Sequence, residues 1–530
     1  MLLHDLLRRA ADRAPESPAL LDASGAIAWG ALELRASQAA SALVEHGVCR
    51  GDRVLLALEN SIDFVIWYFG IVKAGAIVVP LAPGPRNDRL VRVVTDCTPA
   101  VSVSDVATAT AISDALPQSS LRVLFVRRPA SGAPRRHLQK PAVDADEALD
   151  AMAARDPAVR QIDQDLAAIV YTSGSAGTPR GVMLSHLNLT ANADSIVAYL
   201  RLTSADRVMA VLPFHYIYGL SLLHTHTLVG GSVVMDNRFA FPNVVLRAMQ
   251  EHAVTGFAGV PSTFAILLRH SGVAGMRFPR LRYVTQAGGS MPPARIREWQ
   301  RAVPGVPFYV MYGATEAAAR LSYLEPADFE RAPGSIGRAI PNVELLVVKE
   351  DGTPAQPGET GEIVARGSNV SSGYWNAPEA THAAFGRLGY RTGDLAVADA
   401  DGFLHIVGRR HDLLKIAGYR VAPREIEDVL SEHRAVHEAA VVGVADDLLG
   451  EAPVAFVVVR PGAAVTEGEL TAFCRHRLPP YKVPQQIVTV PDLPRGDAGK
   501  IDKNTLRRMA AALAERRGTD ESGAPIQRAG

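Results

Sequence analysis

Tyr171-Thr-Ser-Gly-Ser-Ala-Gly-Thr-Pro-Arg-Gly-Val182 packs glycines and hydroxyls into a pattern suited to holding phosphate. Gly174, Gly177 and Gly181 let the backbone turn sharply and bring N–H groups against an anion. Thr172, Ser173, Ser175 and Thr178 add hydroxyl donors, and Arg180 adds a permanent charge that can meet phosphate oxygens through paired bonds. The apolar run Leu166-Ala-Ala-Ile-Val170 reads as a buried strand, so the loop leaves a strand end, where open α/β sheets place ligands. The same composition also fits an ordinary surface turn. It does not fit a Walker A loop, because Pro179 stands where that pattern needs its second glycine; kinase-like and GTPase-like phosphate handling loses its support.

Outward from the loop, helical stretches alternate with short apolar runs at 53–57, 121–126, 208–212 and 281–284, which predicts βαβ units and largely parallel sheets. The most apolar window, 64–81, is interrupted by Gly70, Lys73 and Gly75. It reads as a helix running into a buried strand, not as a membrane span. After residue 335 short strands alternate with glycine turns, as at 343–348, Asp351-Gly352 and 361–365, the texture of hairpins in a small barrel. Beyond His411 a helix around 425–430, strands at 439–444 and 454–459 and a helix at 467–477 predict a small α+β domain. The expected fold is α/β. A large N-terminal domain, 1–411, carries the parallel-type sheets and a small β-barrel-like lobe; an α+β C-terminal domain spans 412–515, and 516–530 form a disordered tail.

A chain of 530 residues exceeds what one core serves. Lys plus Arg and Asp plus Glu both count 55, so no basic field recruits nucleic acid or an anionic membrane, and small-molecule chemistry is favoured. Cys49, Cys97 and Cys474 are too scattered for a disulfide framework or a zinc site, which suits a reducing compartment. The N-terminus alternates apolar and charged residues, unlike a signal peptide, so a cytoplasmic location is expected.

Further motifs follow in order: Met311-Tyr-Gly-Ala-Thr-Glu316, Tyr390-Arg-Thr-Gly-Asp394, Gly408-Arg-Arg-His-Asp-Leu-Leu-Lys-Ile-Ala-Gly-Tyr-Arg420 and Pro494-Arg-Gly-Asp-Ala-Gly-Lys-Ile-Asp502. With the opening loop, and over nearly the whole chain from about Leu6 to Ala511, they resemble the adenylate-forming superfamily of acyl-CoA synthetases, adenylation domains and luciferases. The resemblance implies two half-reactions. A carboxylate attacks the α-phosphate of ATP, releasing pyrophosphate and leaving an acyl-adenylate; a thiol, from coenzyme A or a phosphopantetheine arm, then displaces AMP. It also implies a mobile C-terminal domain.

Site residues follow from the same resemblance. The loop residues Thr172 to Arg180 would hold the departing phosphates. Relatives usually carry Thr where this chain has Ala176 and Lys where it has Arg180, so weaker or slower ATP handling is expected. Glu316 would bind the Mg2+ that accompanies ATP; read alone, it equally fits a solvated acid at a helix start. Tyr312, followed by Gly313, would offer a face to adenine and Thr315 a hydroxyl near the phosphate, and Gly288 and Gly289 would bring close backbone beside the adenine and the acyl group. Asp394 would accept from the ribose hydroxyls, with Arg409 as a further donor, although Asp394 alone also suits a turn after Gly393.

Lys500 would bridge the substrate carboxylate and the α-phosphate; in isolation it looks like a solvated loop charge. Asp412 would be the hinge about which the small domain swaps Lys500 for a thiol path lined by Lys415, Gly418 and Tyr419. His215 would stand beside the carboxylate, its alternative being a packed histidine at a strand end. Tyr216, Ile217, Tyr218, Val260 and Gln286 would shape the acyl pocket. None is an acid able to pair a substrate ammonium, so a neutral or apolar acid, aryl or medium-chain aliphatic, is expected. Two other readings remain: an enzyme that loads a carrier protein, and a non-catalytic nucleotide- or acyl-binding regulator, for which Ala176 and Arg180 are the support.

Overall fold

The computed structural model describes residues 1–85, 88–116, 118–127, 138–157, 159–173, 179–410, 412–416, 419–446, 449–495 and 501–520. Contacts divide the chain into two units. The first comprises Met1–Ser290, Arg295–Leu345 and Val364–Thr392; the second comprises Met291–Ala294, Leu346–Ile363 and Gly393–Gly530.

In the first unit, Val54-Leu-Leu-Ala57 is buried on both faces, the reading of a parallel interior strand. Val54 pairs with Val78 on one side and Val101 on the other. The sheet built around it runs Ala142–Asp144, Val123–Arg127, Val101–Asp105, Arg53–Ala57, Ile77–Pro80, Leu166–Ser173, Pro179–Ser185. Its last two strands are antiparallel, with Thr172 opposite Arg180 and Ser173 opposite Pro179. Thr172, Ser173 and Arg180 therefore belong to the paired strands themselves. Gly181 corrects the sequence reading, since it lies inside Pro179–Ser185. A Cβ there would stand 2.7 Å from Ile169 Cγ2 and 3.0 Å from the Tyr171 ring, so its lack of a side chain serves cross-strand packing.

A second sheet has nine strands among the described residues, in the order Arg338–Ala339, Ser322–Leu324, Phe308–Tyr312, Tyr283–Gln286, Gly256–Gly259, Arg207–Ala210, Ser232–Met235, Pro18–Asp22, Gly25–Ala28. It is parallel at its centre and antiparallel at both edges. Val54 and Val78 of the first sheet share one continuous core with Val208, Ala210 and Val233 of the second, together with Trp29, Phe64 and Trp67.

The apolar window resolves into the helix Ile62–Lys73, capped by the Ser61 hydroxyl, followed by the strand Ile77–Pro80. From Phe64 to Lys73 this helix is buried on every side, which explains why apolar residues dominate all its faces. At Gly70 a Cβ would stand 2.5 Å from the Ala39 Cβ, so the glycine admits the helix Trp29–Glu45 at close range. Lys73 is buried and paired with Glu33. Among the described residues no helix is long and apolar enough to cross a membrane.

The hairpins expected after residue 335 form a five-stranded sheet from Val343–Val348, Thr360–Gly367, Phe385–Gly386, Gly389–Ala398 and Leu404–Arg409. In the second unit, Val436–Asp446 and Gly450–Val459 pair along their whole length, and side chains alternate between two covered faces. Ala439, Val441, Ala455 and Val457 pack on Ile426 and Leu430 of the helix Pro423–Glu432 and on Leu470 of Glu467–Arg475. Ala440, Val442 and Phe456 pack on Leu506 and Ala510 of the closing helix. That helix, Lys503–Asp520, runs past residue 516, where the tail was expected to begin. The good helix formers Leu513-Ala-Glu-Arg-Arg517 carry it on.

Candidate active site

Three segments far apart in the sequence meet around Tyr374. Its phenol donates to Glu316 Oε1 at 2.8 Å. The Arg180 guanidinium stands over its ring, 5.6 Å from the centroid. Burial, reinforced by the Glu316 charge, raises the phenol well above its ordinary range, so it stays protonated and can only donate to the carboxylate. Backbone pairing fixes the arrangement. Met183 N–H donates to Gly373 O at 3.0 Å, Trp375 N–H donates to Gly181 O at 2.7 Å, and Ser371 N–H donates to Glu316 O at 2.8 Å. Gly373 is at φ +140°, and a Cβ there would lie 2.4 Å from Thr381 Cγ2. Tyr374 was missed by sequence reasoning; the glycine followed by two aromatics in Gly373-Tyr-Trp375 was the available signal.

Glu316 lies in the short 3-10 turn Thr315–Ala317, just past the half-buried Tyr312 at the end of the strand Phe308–Tyr312. The chain then doubles back so closely that a Cβ on Gly313 would stand 1.9 Å from Ala319 O. Gly313 is thus required by packing. Tyr312 lies against the cluster of Ala317 and Leu321.

Gln286 is buried, and its amide donates to Gly289 O at 2.7 Å, closing the turn through Gly288 at φ +83°. A Cβ on Gly288 would come 3.1 Å from Val260 Cγ1, so the glycine turn and Val260 are brought together. His215 sits half-buried in the turn before the helix Ile217–Val229, its ring 4.4 Å from that of Tyr216, and not at a strand end. Ile217 is buried, and the Tyr218 hydroxyl lies 3.0 Å from Thr285 Oγ1. Beside the hairpin, Arg92, Asp96, Tyr171, Pro179 and Asn376 help line a cleft of about 510 Å³, with the Tyr171 hydroxyl bonded to Asp96.

In the second unit Asp394 and Arg409 face each other across antiparallel strands, and Arg409 Nε donates to Asp394 Oδ1 at 3.0 Å. Gly393, at φ +75°, donates its N–H to Glu362 Oε1 at 3.1 Å and accepts from Arg410 N–H at 2.9 Å. Asp412 accepts from Arg507 at 2.8 Å. Lys415 N–H donates to Glu451 at 2.6 Å, and the exposed Tyr419 stacks on Tyr481 at 4.5 Å. Gly174, Ser175, Ala176, Gly177, Thr178, Gly418 and Lys500 lie outside the described residues.

The sequence matches the family described as "AMP-binding enzyme" over residues 7–375 and "AMP-binding enzyme C-terminal domain" over 425–500. It is 35% identical over 503 residues to a sulfoacetate–CoA ligase of Cupriavidus necator, covering 93% of this chain and 94% of the relative. An indoleacetate–CoA ligase of Aromatoleum aromaticum is 32% identical over 478 residues, covering 89% and 91%. The crystal structure of ATP-bound MatB from Rhodopseudomonas palustris superposes with a TM-score of 0.86 at 30% identity, covering 96% of this chain and 99% of that one.

Proposed function

We propose, for a chain that belongs to the AMP-binding enzyme family and is an AMP-forming acid–thiol ligase, that it adenylates a carboxylic acid with ATP and transfers the acyl group to coenzyme A. The observation that carries the reading is the Glu316–Tyr374–Arg180 cluster, in which a cation and a carboxylate are held next to the strands that flank the glycine loop.

In the first half-reaction a carboxylate oxygen of the acid bonds to the α-phosphorus, and the bond to the bridging oxygen of pyrophosphate breaks. Negative charge moves onto the leaving group. Arg180 and the loop hydroxyls and N–H groups would offset it from fixed positions. Tyr374 takes one Glu316 oxygen and leaves lone pairs on the carboxylate. Magnesium, which commonly binds one or two carboxylates plus phosphate and water, would be held by Glu316 and would neutralise phosphate charge. Asp394 would accept from the ribose hydroxyls, its other partner Arg409 fixing its rotamer. Lys500 would join the acid's carboxylate to the α-phosphate. In the second half-reaction the thiol sulfur bonds to the acyl carbon, the acyl–oxygen bond breaks, and AMP leaves; Gly418 would give the pantetheine arm room.

The acceptor is tested by incubating the chain with ATP, magnesium and an acid panel, then offering either coenzyme A or a holo carrier protein and detecting the thioester by mass. Acyl-CoA is the expected product. A thioester on the carrier alone would contradict the proposal, and acid-independent nucleotide binding without turnover would favour the regulator.

A further inference from the structure

The first unit buries a cation that has no counter-charge among the described residues. Arg320 is 2% exposed, and among the described residues no carboxylate lies within ion-pair distance of its guanidinium. Its Nε is buried without a hydrogen-bond partner. Two consecutive alanines in the left-handed region, Ala318 at φ 54° and Ala319 at φ 113°, deliver it. Such strain in non-glycine backbone gathers at functional sites. The amides of Asn192 and Asn369 hold the Arg320 carbonyl at 2.9 and 2.8 Å.

The guanidinium lies over the Tyr218 ring, 4.7 Å from the centroid. Tyr199 stands beside it, stacked on Tyr323 at 4.2 Å. Burial pushes the Tyr199 phenol up to about 12, with the Arg320 charge opposing the rise. Burial raises the Tyr218 phenol as well, so neither tyrosine is an anion at neutral pH. The Tyr199 phenol oxygen also accepts a hydrogen bond from the guanidinium, but a neutral phenol and aromatic faces offset only part of the cost of a buried charge without a counter-ion. An incoming anion would recover the remainder.

Tyr218 is also one of the residues assigned to the acyl pocket. On that reading, and resting on the ligase function proposed above, we propose that Arg320 is a specificity residue that receives a second anionic group, a carboxylate or a sulfonate, at the far end of the acid being adenylated. This revises the expected neutral acid. The lack of an acid among Tyr216-Ile-Tyr218 disfavours a substrate ammonium but says nothing against an anion, and the cation comes from a different segment.

The test is acid-dependent ATP–pyrophosphate exchange by the full chain with succinate, glutarate and 3-sulfopropanoate against butyrate, pentanoate and benzoate. An anion-tailed acid should exceed its uncharged match by at least about 100-fold in kcat/KM, the scale of a desolvated charge pair. Succinate against 3-sulfopropanoate separates the two anions. Arg320→Leu should erase the preference mainly through KM, leave the uncharged acids within a few-fold, and keep or raise Tm. Arg320→Lys should retain part of it. Exchange confined to uncharged acids, or equal loss of both classes in Arg320→Leu, would overturn the proposal while leaving the ligase reading in place; silence with every acid would overturn both.

Discussion

Lys500→Ala lowers acyl-adenylate formation by roughly 10²–10³-fold, the cost of removing one preorganised contact to transition-state charge, about 3 kcal/mol. Thioester formation from a supplied acyl-adenylate stays within a few-fold of the unaltered chain. The asymmetry follows from the chemistry. In the first half-reaction two anions, carboxylate and triphosphate, must be brought together, and a cation between them acts where charge density rises most. In the second, a thiol meets an activated acyl carbon and the same cation has no comparable task. Single-turnover assays with ATP plus acid, and separately with synthetic acyl-adenylate plus coenzyme A, measure the two losses. Equal losses would contradict the assignment of Lys500 to the adenylation step.

Glu316→Gln should be the second largest effect, about 10²-fold in adenylation, as expected when a hydrogen bond or metal contact to a charged group is lost in a desolvated site. Glutamine keeps an oxygen that can accept the Tyr374 phenol, so this variant removes the charge and spares the geometry. Tyr374→Phe does the converse. It deletes the 2.8 Å bond and leaves the carboxylate, and should cost roughly 10-fold. A magnesium titration distinguishes them: Glu316→Gln should need several-fold more magnesium for half-maximal rate, and Tyr374→Phe should not. If both variants shift the titration equally, the carboxylate acts only through its bond to Tyr374.

The parts of this molecule legible in its sequence are those whose causes are local. Strands such as Arg53–Ala57 announce themselves because burial on both faces leaves no polar position after Arg53. The two-faced strands Val436–Asp446 and Gly450–Val459 do so because each face meets a helix. Glu316 is legible because Tyr-Gly-Ala-Thr precedes it. Tyr374 is not, since its partner lies 58 residues away and nothing adjacent marks it as a donor. Gly181 and Gly313 look like loop glycines until the strand pairing and the return of Ala319 show what a Cβ would strike. Lys73 and Arg320 escape for a common reason. Composition places Lys and Arg in water, and only packing reveals that one is paired with Glu33 and the other lies against Tyr218.

The most direct test of adenylation followed by thiolysis traces the acid's own oxygen. With both carboxylate oxygens labelled by ¹⁸O and coenzyme A as acceptor, attack on the α-phosphorus followed by cleavage of the acyl–oxygen bond leaves one labelled oxygen on AMP and the other in the thioester. Mass spectrometry should find AMP heavier by one ¹⁸O and pyrophosphate unlabelled. Label in pyrophosphate or inorganic phosphate, or thioester formed with unlabelled AMP, would contradict the mechanism.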